Sequence, residues 1–560
     1  MFFYRNKKYA PFLIIFVIFL FHIVNNYLIL SKDNIPFIHD ERMYFEDSKS
    51  YYAIIRNAVF EKNFSGLSVF LKQRDFSYSP LVPLTSVPFY FLFGLTDDVA
   101  VLSLMPYFLI LLLSIYKLGQ KLYSSNSAGL LAALLVSLFP IIVGFSRVYY
   151  LEIPMTALVT LTFVFLLKTD YFKNRKYSIL FGITLALTLF VKWISVVFIA
   201  GPFLFYAFSS LSPKRSTEVS KKKIVNNFFI SLFTCFLFIL PFFALFIKPF
   251  LSNYNSVFCN VVKYNTSNFS VFEYFTKLYD VQLLPFFTIA FCVAVPVFLI
   301  RVKEKGLLIS WFLFTCIFFI IIDFCGYFKA QSRFTLPLLP TVALIISSAV
   351  FSIKNNKARF TSVIVAFLIA VLIIGGLVQF FRLSYEPGCK YPLLAYAKNS
   401  HGLGRYQALI EDWKSKEVSS IVINKSLSNR NSQTIVLPLY NCGILHTLLL
   451  EEFSKYAAKS NKNVFYDNLL TLYCGGYSNL QEDKYYENII KKADIVLIKE
   501  GGYLEGCEDP SLENVLGHSL GYKVYMILTK SFKKHKSLFS KVGVFDLPDN
   551  SKLVVYEKME

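Results

Sequence analysis

Charge is scarce in this chain: Asp, Glu, Lys and Arg together make up 17% of its 560 residues. A soluble domain carries about a quarter, so a chain wetted over its whole length is excluded, as are the disordered and fibrous classes. No internal repeat is visible, and no phosphate-cradling loop, GxGxxG, HExxH or GxSxG stands in a convincing setting. The histidines lack ligand spacing and the cysteines form no CxxC, so a zinc centre is not expected. No small-residue cleavage site follows the first apolar run, which therefore reads as a retained anchor. Acidic residues are the scarcer sign, 36 against 57 Lys and Arg. In a soluble protein that excess would suggest nucleic acid; in a membrane protein it is first explained by topology, and no nucleic-acid partner is expected.

What is abundant is apolar. The chain is 55% hydrophobic, holds 61 Phe and 36 Tyr, and has a mean hydropathy of +0.51. These values imply a polytopic α-helical membrane protein. Candidate spans are 9 to 30, 99 to 116, 126 to 145, 152 to 167, 177 to 191, 193 to 211, 228 to 247, 283 to 300, 307 to 322, 334 to 352 and 360 to 381, about eleven crossings. The stretch 80 to 94 is short and carries Pro80, Pro83 and Pro88. If it does not cross, the clusters at Lys117 and Lys121, Lys168 to Lys176, Lys214 to Lys223, Arg301 to Lys305 and Lys354 to Arg359 all fall on one side. That assigns a cytoplasmic amino terminus, in a plasma or inner membrane, and makes 80 to 94 re-entrant or interfacial. The outer face then receives residues 31 to 98, the turn 146 to 151, the kink at Lys192, 248 to 282, 323 to 333 and everything after 382. Within the first outer loop, Tyr51, Ile55, Ala58 and Val59 form one apolar stripe, as on a helix lying in the interface or on a plain surface helix.

Two domains follow, a membrane domain over 1 to 381 and a soluble α/β domain over 382 to 560. The second has globular composition, with short apolar runs at 420 to 424, 434 to 440, 493 to 499, 522 to 528 and 551 to 557 read as strands between helix-like stretches. Its Cys389, Cys442, Cys474 and Cys507 allow two disulfides in any of three connectivities, or remain free thiols. Cys235, Cys292 and Cys316 fall within spans as small apolar residues.

The residues that could do chemistry gather at the outer boundary. Asp40 and Glu41 stand just after the first span. Alone, such a pair reads as a solvated loop with a helix cap. At a membrane boundary one of them suits a general base, and with His39 they could ligate a divalent cation, the only cofactor considered. Arg147 and Glu152 flank the turn in SRVYYLEIP, Lys192 interrupts the apolar run 185 to 198, and Arg333 stands where the tenth span begins. Charges inside a bilayer face a cavity or a partner, so Lys192 is either functional or paired with Glu152. Arg333 either snorkels or binds phosphate. Lys329 ranks lower, and Asp97 and Asp98 are expected to cap the helix from 99.

The ordered series of motifs resembles the GT-C superfamily of membrane glycosyltransferases, in the group of protein O-mannosyltransferases and lipid A aminoarabinose transferases. The matching pieces are Asp40-Glu41 with Tyr44, Tyr78-Ser79-Pro80-Leu81, Phe93-Gly94, the run 116 to 140 followed by SRVYYLEIP, GITLALTLFVKW and RFTLPLLP, covering about residues 9 to 380. The resemblance implies inverting transfer of a sugar from a polyprenyl-phosphate donor to a lipid, glycan or protein hydroxyl at the outer face. Carried over by position, Asp40 is the base, Glu41 its neighbour and Glu152 the second acid, while Lys192 and Arg333 match basic positions. Aminoarabinose transferases place Glu-Lys before the Pro of the segment written here Tyr78-Ser79-Pro80, so the phosphate falls to Lys192, Arg333, Arg147 or Arg42 in this chain. The rival readings are a lipid-linked oligosaccharide polymerase or ligase, a lipid-sugar transporter, and a scaffold anchored by its spans.

Overall fold

The computed structural model describes residues 9 to 63 (except 35 and 38), 80 to 211, 220 to 240, 276, 278 to 302, 305 to 324, 332 to 352, 359 to 385, 405, 408, 412 to 428, 433 to 439, 445, 448 to 450, 452, 453, 456, 463 to 466, 483 to 500, 520 to 548 and 551 to 559. The chain divides into two compact units, Met1–Lys32 with Asp40–Ala408, and Asp33–His39 with Leu409–Glu560.

The first unit is helical. Its elements are α1 (Ala10–Leu30), α2 (His39–Phe60), α3 (Leu81–Phe93), α4 (Asp97–Leu102), α5 (Met105–Tyr123), α6 (Asn126–Leu138), α7 (Pro140–Phe145), α8 (Glu152–Lys168), α9 (Arg175–Val191), α10 (Ser195–Ser210), α11 (Lys221–Leu240), α12 (Leu284–Arg301), α13 (Gly306–Phe324), α14 (Leu339–Ser352) and α15 (Arg359–Tyr385). A π-turn, Leu278–Gln282, precedes α12, and a 3-10 helix, Ser332–Leu338, precedes α14. Among the described residues six helical stretches are long and apolar enough to cross a membrane. A helical unit with apolar helices of membrane-spanning length, as expected above, is observed.

Local chemistry sets the breaks. Two predicted spans are interrupted rather than continuous. The one written 126 to 145 is α6 and α7, because Pro140 pushes Phe139 into an extended conformation. The one written 99 to 116 starts earlier, and Thr96, not Asp97 or Asp98, is the cap: its hydroxyl accepts from the Val99 N–H while the two acids occupy the first turn. Gly94 closes α3 with φ +90°, a conformation side chains disfavour. With 13 residues α3 is only about 20 Å long, short of a bilayer core.

Burial separates the centre from the rim. In α8 and in Ser332–Ser352 nearly every residue is buried, and 89% of the apolar window of the latter is inside the protein. In α15 only 22% is, which leaves a long apolar face that suits lipid and not water. The central helices approach closely where side chains are missing. A Cβ on Gly129 of α6 would lie 2.4 Å from the Tyr116 carbonyl of α5, so that crossing depends on the bare backbone.

The second unit is an α/β sheet of five strands in the order β2-β1-β3-β5-β4: β1 (Gln433–Leu439), β2 (Asn463–Tyr466), β3 (Ile495–Glu500), β4 (Phe539–Asp546) and β5 (Lys552–Lys558). The first three are parallel, and β5 runs antiparallel to β3 and β4. The period-two alternation of strands directs Ile495, Leu497, Leu553 and Val555 to one face, where α16 (Ser415–Ser428) packs, and Val496, Val554 and Tyr556 to the other, where α17 (Asp483–Lys492) and α18 (Leu520–His535) pack. Two predicted strands are corrected: 420 to 424 lies in α16 and 522 to 528 in α18. Val418 with Val422, and Leu528 with Phe532, repeat at the helical spacing of four, which a short apolar run hides. The four cysteines of this region fall outside the described residues.

Candidate active site

Four elements of the first unit deliver the site. The pair Asp40 and Glu41 forms the first turn of α2, where carboxylates complement the helix dipole. Glu152 opens α8 after the turn 146 to 151. Lys192 is the extended residue that ends α9, placed at the break before α10. Arg333 belongs to the 3-10 helix ahead of α14, and that helix packs on α8.

These side chains form one chain of charges. Arg333 Nη1 lies 2.7 Å from Asp40 Oδ2, Arg333 Nε lies 4.0 Å from Glu152 Oε1, and Lys192 Nζ donates to the same Glu152 oxygen at 2.9 Å. Glu152 has no exposed side-chain surface, whereas Asp40 keeps 28% of its own. Arg333 therefore bridges an accessible carboxylate to a buried one. The second oxygen of Glu152, Oε2, is buried without a hydrogen-bond partner, so the site holds an unused acceptor. Glu41 points elsewhere: it is buried and accepts from the Tyr149 N–H at 3.1 Å, which ties α2 to the turn that leads into Glu152.

Aromatic rings complete the walls. Arg333 lies over Tyr150 and Phe334, with Cζ 5.1 and 4.9 Å from the ring centres, and Lys192 Nζ is 4.8 Å from the Phe334 ring. Burial, then the Glu41 carboxylate, pushes the Tyr150 phenol well above its usual range against the opposing pull of Arg333, so it stays neutral. Gln282 of the π-turn donates to the Ser332 carbonyl at 2.7 Å and also to the Thr335 hydroxyl, holding the residues that flank Arg333. Tyr150, Phe334 and Gln282 were not singled out in the sequence. For Phe334 the available signal was its place next to Arg333.

The remaining candidates separate. Arg147 is fully buried, donates to Asn26 Oδ1 and Ser384 Oγ at 3.0 Å each, and packs over Phe380. With no exposed surface, it links α1 to α15 through Asn26 and Ser384 and stands apart from the chain of charges. Arg42 is half-buried on α2. Tyr78 and Lys329 lie outside the described residues, as does the side chain of His39. Among the described residues no three His, Cys, Asp or Glu side chains converge as metal ligands.

The fold and this arrangement define a class, and comparison with known proteins agrees with it. A family model described as dolichyl-phosphate-mannose-protein mannosyltransferase matches residues 12–258. ArnT from Cupriavidus metallidurans shares the fold, both bound to undecaprenyl phosphate (TM-score 0.51) and in the apo state (TM-score 0.53), at 12% identity over 98% of each chain. The archaeal oligosaccharyltransferase AglB from Archaeoglobus fulgidus, in complex with an inhibitory peptide and a dolichol-phosphate, is similar at 11% identity and TM-score 0.50, over 98% of this chain and 74% of that one. No curated protein matches the chain in sequence. Over less than half of its sequence, and over nearly its whole length in fold, the chain is similar to membrane glycosyltransferases, in line with the resemblance stated above.

Proposed function

We propose that the chain transfers a sugar from a polyprenyl-phosphate donor to an acceptor hydroxyl on the outer face of the membrane, with inversion and with Asp40 as general base. The observation that carries this reading is the bridge from Asp40 through Arg333 to Glu152 and Lys192. The acceptor oxygen attacks the anomeric carbon as its proton passes to Asp40, and the bond from that carbon to the phosphate oxygen breaks with its electron pair on the phosphate. Protonation neutralises Asp40 and weakens its hold on Arg333. The guanidinium is thereby released toward the phosphate just as negative charge grows there, and Lys192 adds a second cation. Glu152 holds both cations in place from a buried position.

ArnT, which binds undecaprenyl phosphate, and AglB, which binds dolichol-phosphate and a peptide, support a lipid-phosphate donor. The likeness to AglB also keeps transfer of a whole oligosaccharide as a second reading. The test is turnover of lipid-linked sugar by wild type and Asp40→Asn, with the product mass recorded. A loss of about 10²- to 10⁴-fold in the variant is expected. Wild-type turnover would remove Asp40 as base, and a product heavier by several sugars would favour the second reading.

A further inference from the structure

Away from the charge cluster, a cavity of about 280 Å³ opens between the first turn of α12 and the last turns of α15. Leu284, Phe286, Gly375 and Val378 give it an apolar floor, while Gln379 and Arg382 supply its polar groups. A Cβ on Gly375 would lie 2.2 Å from the Phe286 ring, so the ring lies directly on bare α15 backbone. Both helices are candidate membrane spans, and the cavity sits at their ends, the level at which lipid headgroups meet hydrocarbon.

We infer that this groove binds an anionic phospholipid of the surrounding leaflet, its phosphate on Arg382 and an acyl chain along Phe286 and Val378. Three observations select that occupant. Among the described residues the groove is lined by one cation, the exposed Arg382, and by no carboxylate, so a headgroup of net negative charge is favoured over a zwitterionic one. The Gln379 side-chain oxygen is buried without a hydrogen-bond partner and can accept from a headgroup hydroxyl, which a glycerol headgroup supplies. Asp40, Glu152, Lys192 and Arg333 do not line the groove, so its occupant is not the reacting donor. The seat begins two residues after Gln282, which holds the residues that flank Arg333, so a bound lipid would stiffen the end of α12 next to that brace.

The test is native mass spectrometry of the full chain in detergent, incubated with phosphatidylglycerol, phosphatidylcholine or a polyprenyl phosphate. Wild type is expected to retain phosphatidylglycerol about tenfold better than phosphatidylcholine. Arg382→Gln should erase that preference, and Val378→Trp, which fills the groove, should reduce retention of both. Each variant is read only where it elutes as one species with wild-type melting, and either one suffices. Equal retention of the two phospholipids by wild type, or a preference untouched by Arg382→Gln, overturns the inference. Displacement of phosphatidylglycerol by an equal concentration of polyprenyl phosphate also overturns it, and assigns the groove to the carrier.

Discussion

At the scale of single residues, the informative feature is how buried charge is balanced. Glu152 is enclosed and leans on Lys192, with Arg333 farther away. Removing one member of such a pair strands the other in a poorly polar setting, at a cost of about 3–5 kcal/mol, while removing both is far milder. Lys192→Met and Glu152→Gln should therefore each lower thermal stability in detergent, and the double variant should recover part of the loss. Additive losses in that double-mutant cycle would mean that the two side chains do not act as a pair. The acidic and basic partners were visible in the sequence because ionisable residues stand out in apolar runs. The pairing of Lys192 with Glu152 was one of the two readings open for that lysine, and the ion pair is present; the bridge of Arg333 to Asp40 was not visible, since these two are separated by 293 positions.

At the scale of elements, close approach and length make the predictions. Gly129 lies against the Tyr116 carbonyl, and Gly119 across the same crossing would place a Cβ 2.8 Å from the Gly129 Cα. Gly129→Leu should push α5 from α6 and cost about 1–3 kcal/mol or more, read as a lower melting temperature. A smaller shift than for a lipid-facing control such as Val363→Leu would contradict the packing account. For α3, the short length and the charge pattern predict that both ends stay on one side. Single cysteines at Lys62 and Leu95, in a chain with its own cysteines replaced, should react with an impermeant thiol reagent from the same side. Reaction from opposite sides would show that α3 crosses and would reverse the orientation of every later loop.

At the scale of the whole molecule, the two units treat their apolar surface differently. The first leaves α1, α11, α12 and α15 mostly unburied, as a lipid solvent allows. The second covers both faces of its sheet with its own helices. Residues 412 to 559 expressed alone are therefore expected to fold, with a mixed α/β circular dichroism spectrum and one cooperative thermal transition. A random-coil spectrum would show that the soluble unit needs the membrane domain.

The sequence by itself determined where hydrocarbon replaces water as the solvent, because twenty apolar residues in a row admit few other fates, and hence the membrane class, most helix positions and the identity of the scarce charges. It misread 420 to 424 and 522 to 528 as strands, because a run of five to seven apolar residues carries no reliable period. Only the tertiary structure decided that Arg147 is a buried clamp and Arg333 the bridge. Both are arginines at the ends of apolar segments, and their difference lies in the neighbours that packing brings: Asn26 and Ser384 for one, two carboxylates for the other. Local chemistry selects helices and charges, but the partner of a charge is fixed by distance in space, which sequence separation does not record.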